Sequence, residues 1–84
     1  MQNPSKNELS VALSEAGPIH HDYETVILKG IRDKNWSSFY AAYALGKLGN
    51  FVSTSKFCTW LEEVPITEHW TESAAELVLS KLNE

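Results

Sequence analysis

Trp36-Ser-Ser-Phe-Tyr-Ala-Ala-Tyr-Ala-Leu-Gly-Lys-Leu48 reads as one helix that is apolar almost all round. Trp36, Phe39, Tyr40 and Tyr43 recur at i, i+3, i+4 and i+7, the spacing of a single helical face. Ala41, Ala44, Leu45 and Leu48 cover most of the opposite side, leaving Ser37, Ser38 and Lys47 as the only polar surface. A helix with so little polar face belongs inside a bundle. Asn35 suits its N-cap, and Gly49 its stop.

Outward from this helix, punctuation divides the chain into five segments. Ser5-Lys6-Asn7-Glu8 has the S-x-x-E form of a capping box, and Leu9, Ala12, Leu13 and Ala16 follow at helical spacing. Gly17-Pro18 is read as the end of that first helix. Tyr23, Val26, Ile27 and Ile31 then form a second stripe, expected to face the core, with Gly30 as a mid-helix cost or a close-approach point. Beyond Gly49, Ser53 or Thr54 caps a helix carrying Phe57, Trp60, Leu61 and Val64, and Pro65 ends it. A last helix from Thr67 or Thr71 to about Leu82 carries Trp70, Ala74, Leu77, Val78 and Leu82. Thr25–Leu28 is the one strand-like stretch; it lacks alternation and has no partner strand. The expected fold is all-α: one domain over residues 1–84, a compact bundle of four to five short helices around a buried central helix at about Trp36–Leu48, with residues 1–4 disordered.

Composition narrows the functions. The chain has 84 residues, 43% hydrophobic, 21% charged and 11% aromatic. That is too short for a catalytic domain plus a cofactor fold, and too apolar for intrinsic disorder. One cysteine, Cys58, excludes an internal disulfide. No apolar run is of bilayer-spanning length, and the start at Met1 lacks a secretion-signal core, so a cytoplasmic protein away from membranes is expected. The net charge of −4 is unevenly spread. Residues 1–28 carry −3, residues 29–56 carry +4, and residues 57–84 carry −5. Such polarity can orient a partner or a second copy of the chain.

The residues that could carry chemistry form no catalytic pattern. His20-His21-Asp22, with His69 and Cys58 elsewhere, lacks the paired spacing of a zinc site, so no metal is expected and the histidines read as solvated polar residues. Cys58 with His69 or His20 could form a dyad in a small enzyme, but no strand–turn–helix elbow surrounds it. Glu62 and Glu63 face different ways on a helix. Gly46 and Gly49 do not match a phosphate loop, and no cofactor is expected.

Residues 41–64 outline a helix-turn-helix in the basic third, with Lys47, Lys56, Thr54 and Ser55 as its nucleic-acid candidates. The recognition helix of that outline offers no Arg, Asn or Gln for a base edge and runs into Glu62-Glu63. DNA binding is therefore the alternative. A further alternative is ligand binding on the aromatic stripe or at Cys58. The favoured expectation is a non-enzymatic protein-interaction or regulatory module, acting on a protein partner or as a homodimer. Trp36, Tyr40 and Trp70 are its interface candidates, because large rings near helix starts are natural anchors. Trp60, in contrast, reads as core.

Overall fold

The computed structural model describes residues 3–83. Four α-helices follow one another: α1 (Lys6–Asp22), α2 (Trp36–Leu48), α3 (Thr54–Glu62) and α4 (Trp70–Leu82). A π-helical turn, Tyr23–Ile27, extends α1. α2 and α4 each pack along α1 and α3, closing a ring of four. Neighbours run antiparallel, as their pairings show. Lys6 and Ser14 of α1 meet Glu76 and Thr71 of α4, and Ser37 of α2 meets Glu62 of α3. Among the described residues no helix is long and apolar enough to cross a membrane.

α1 begins as its sequence dictates. The Glu8 amide donates to Ser5 Oγ at 3.1 Å, and the Ser5 amide donates to Glu8 Oε1 at 2.8 Å. Its end is a correction. Gly17-Pro18 does not stop the helix; Pro18 lies inside it. An interior proline costs about 3 kcal/mol, and that loss is offset by what the next turn buries. His20 is buried and makes the α1 stripe four residues longer than the apolar pattern, as Leu9, Leu13, Ala16, His20. The backbone then widens into the π turn, where Leu28 N–H bonds Tyr23 C=O at 3.1 Å. The real stop is Lys29-Gly30, both at positive φ, with Gly30 N–H closing on Glu24 C=O at 2.8 Å.

This displaces the second expected stripe. Val26, Ile27 and Ile31 are 70%, 65% and 69% exposed, so they are surface and not core. A π turn advances each residue by less than 100°, which destroys the 3.6-residue register the stripe assumed.

The core is shared by all four helices. Leu9 and Leu13 of α1, Phe57 and Leu61 of α3 and Val78 of α4 are its largest fully buried side chains. α2 contributes Ala41, Ala44 and Leu45, the side opposite its aromatic stripe. Small residues there let α1 and α3 approach closely. The stripe itself, Trp36, Phe39, Tyr40 and Tyr43, is half-buried, while Ala42 and Lys47 are exposed. Ser53 caps α3, accepting from the Lys56 amide at 3.3 Å. Trp60 is half-buried on the margin of the core, because Phe57 and Leu61 fill its centre. Of residues 1–4, for which disorder is expected, Met1 and Gln2 lie outside the described residues, and Pro4 is buried.

Candidate functional site: an aromatic cleft where α1 ends and α2 and α4 begin

Up-and-down topology brings the end of α1 to the starts of α2 and α4. Trp36 is the first residue of α2, and Trp70 the first of α4. Tyr40 follows Trp36 by one turn. These three rings, the interface candidates of the sequence, are brought into mutual contact. Trp36 and Trp70 have ring centres 5.7 Å apart at 70°. Tyr40 lies 5.4 Å from Trp70 at 81°, and 5.9 Å from Trp36 at 84°. Edge-to-face packing of this kind is favourable beyond the area it buries. All three rings line an open cleft of about 260 Å³, to which Ile66, 75% exposed, adds an aliphatic side.

Four polar residues complete the lining: His20, Glu24, Arg32 and Asp33. His20 Nε2 stands 2.9 Å from Asp33 Oδ2, and its Nδ1 stands 3.8 Å from Glu24 Oε1. The imidazole also packs against Phe39 and Tyr40, with ring centres at 4.8 and 5.4 Å. Glu24 Oε2 accepts the Asp33 amide at 2.7 Å, and Asp33 Oδ1 accepts the Asn35 amide at 2.9 Å. This clasp pins the 28–35 loop against α1. The hydrogen bond from His20 is the main reason the Asp33 carboxyl is held below the usual carboxylate range. Burial, reinforced by the negative charge of Glu24, pushes the Tyr40 phenol above its ordinary value. Tyr40 is therefore a neutral phenol throughout the physiological range.

Two polar groups of the cleft lack partners. The Trp70 indole Nε1–H is buried with no acceptor among the described residues. Arg32 is exposed, with no carboxylate within 4 Å among the described residues. α2 and α4 also begin without a side-chain cap, whereas α1 and α3 have serine caps.

The other sequence candidates lie apart from the cleft lining. Lys47 is ion-paired with Glu15 of α1. Thr54, Ser55 and Lys56 are exposed on the first turn of α3. Cys58 is half-buried, its Sγ 3.6 Å from Ser38 Oγ. Among the described residues no group of three or more His, Cys, Asp or Glu side chains is placed to hold a metal ion. His20 corrects the expectation of a solvated histidine; its neighbours Glu24 and Asp33, and Arg32 in the same lining, carry no site signal in the sequence. One signal for His20 was present: it falls on the α1 apolar face once Gly17-Pro18 is read through. Nothing local marks Asp33 as its partner, thirteen residues away.

No known protein family, curated protein or solved structure matches the chain.

Proposed function

We propose that this chain is a non-enzymatic interaction module that recognises a protein partner through the Trp36–Tyr40–Trp70 cleft. The observation that carries this reading is the buried, unpartnered Trp70 N–H among three rings that line an open cleft. An unsatisfied buried donor costs about 1–3 kcal/mol, a cost recovered when the rings part enough to admit a partner's acceptor. Two tryptophans and a tyrosine at one rim are the side chains that dominate interface energetics. The histidine and both carboxylates are committed to the clasp that shapes the cleft, so their polarity serves positioning. A cytoplasmic partner protein is the favoured occupant, and a second copy of the chain is the other. The DNA-binding alternative has less support, because Lys47 is neutralised by Glu15 and the whole chain is acidic.

The test compares capture from native lysate by the wild type, Trp36→Ala and Lys56→Glu, each checked for unchanged helical circular dichroism. The cleft reading expects a stoichiometric band that Trp36→Ala loses and Lys56→Glu keeps. A band indifferent to Trp36→Ala, or a nuclease-sensitive one lost with Lys56→Glu, overturns it. Sedimentation at several concentrations separates self-association from capture of another protein.

A further inference from the structure

Resting on the cleft as the recognition site, we infer that the partner protein docks there by an acidic segment, a carboxylate flanked by aliphatic side chains, with Arg32 as its seat. The placement of Arg32 is the first ground. It lines the aromatic cleft together with Ile66, and it lines a second hollow together with Ile31. Glu24 also borders both, so the two hollows adjoin. The guanidinium thus has an exposed aliphatic residue in the hollow on either side of it. A planar guanidinium takes a carboxylate through two parallel N–H bonds. Aliphatic side chains next to that carboxylate cover Ile31 and Ile66, which the fold itself leaves in water.

Charge is the second ground. Lys29, Arg32 and Lys34 are all exposed, and none has a carboxylate within 4 Å among the described residues. Lys6 and Lys47, in contrast, are paired with Glu76 and Glu15. The acids of this end are Asp22, Glu24 and Asp33. Asp22 is exposed on the last residue of α1. Glu24 and Asp33 stand on either side of His20, with side chains only 24% and 14% exposed. A protonated His20 cancels one of their charges. A neutral one leaves both, and their oxygens remain turned to the imidazole and to the Asp33 and Asn35 amides. The cations of this end therefore meet solvent, while two of its three carboxylates are held inward. Lys29, Arg32 and Lys34 against Asp33 leave the 29–34 stretch at +2 in a chain of net charge −4. Such a local excess steers an anionic partner to this end. An anionic membrane fits it less well, since lipid-binding clusters hold about four to eight cations and no exposed acid such as Asp22 is wanted among them.

Nitrogen–proton NMR of the full chain tests the inference with three capped peptides at millimolar concentration and with phosphatidylserine–phosphatidylcholine vesicles. The peptides carry Leu-Glu-Leu, Leu-Gln-Leu or Gly-Glu-Gly between terminal glycines. The Leu-Glu-Leu peptide should shift the Arg32 Nε–H signal and the amides of the 28–35 loop in a saturable way. It should bind about threefold or more tighter than either control peptide, and more weakly as salt is raised. In Arg32→Gln, which removes an exposed side chain and keeps the helical signal, its affinity should fall to that of Leu-Gln-Leu. Equal binding of either control, an unchanged affinity in Arg32→Gln, or no saturable shift overturns the inference. Vesicle binding in place of peptide binding overturns it in favour of a membrane. Self-association in sedimentation that Arg32→Gln abolishes overturns it in favour of a second copy of the chain. A lysate band lost in Trp36→Ala but kept in Arg32→Gln sinks this inference and leaves the cleft reading standing. If that band ignores Trp36→Ala, the cleft reading itself falls.

Discussion

The two ends of this bundle are built by different physics. Where α1 starts and α4 finishes, the core contacts are apolar, and ion pairs are confined to the surface, Lys6–Glu76 at 2.6 Å and Lys47–Glu15. Leu9, Leu13, Phe57 and Val78 are completely buried, and no polar group is needed to explain their packing. Where α1 finishes, the chain is held by a histidine, two carboxylates and backbone amides, under a cluster of aromatic rings that stay partly open. The first region tolerates little change, and the hollow on its surface is polar, lined by Lys6, Asn7, Ser10 and Glu72. The second has polar groups to spare and exposed aliphatic residues beside it. The two ends are joined through Trp70, which belongs to the buried core and lines the cleft.

The largest effect should come from breaking the core. Phe57→Ala is expected to lose about 3–5 kcal/mol, read as a lowered urea midpoint with a similar slope. His20→Ala should come next, at about 1–3 kcal/mol, since it strands the Asp33 carboxylate and opens a cavity beside Phe39 and Tyr40. That variant should also lose the cleft, so amide exchange in the 28–35 loop should accelerate while the α3 amides stay protected. A His20→Ala protein as stable as the wild type would show that the clasp is decorative.

Acid sharpens the same contrast. Asp33 is depressed in the folded state, so the unfolded chain binds its proton first as pH falls. Its stabilisation is fully present above about pH 4, the ordinary aspartate range, and is lost as pH drops through the lower folded value. The thermal midpoint should decline on that limb, and Asp33→Asn should flatten the decline while lowering the midpoint at pH 7. An unchanged acid limb in Asp33→Asn would remove the clasp from the explanation. The smallest effects belong to the exposed aliphatics. Val26→Ser and Ile27→Ser should each stay within about 0.5 kcal/mol of the wild type, against the loss expected had they been core.

Legibility in the sequence follows the same division. The core was readable because Leu9, Leu13, Phe57, Leu61 and Val78 sit on helices whose caps and periods agree. That Trp36 and Trp70 stand at helix starts was readable too, since position at a helix start is a local property. The segment from Gly17 to Asn35 was not. Its strongest signal, Gly-Pro, is a local preference that burial of His20 outweighs. Its apolar stripe assumed a regular helix where the chain forms a π turn. Its one buried histidine is explained by a partner beyond any helical spacing. Local rules fail where long-range polar contacts decide the backbone.

Three tryptophans make the decisive measurement simple. Trp36 and Trp70 line the cleft, and Trp60 lies in α3 apart from its lining. Their indole N–H signals can be followed in a two-dimensional nitrogen–proton NMR titration with the partner protein captured from lysate. Recognition at the cleft requires the Trp36 and Trp70 signals to move together and saturate while Trp60 stays still. Signals that all remain in place as the partner is added, or that drift alike without saturating, would contradict it.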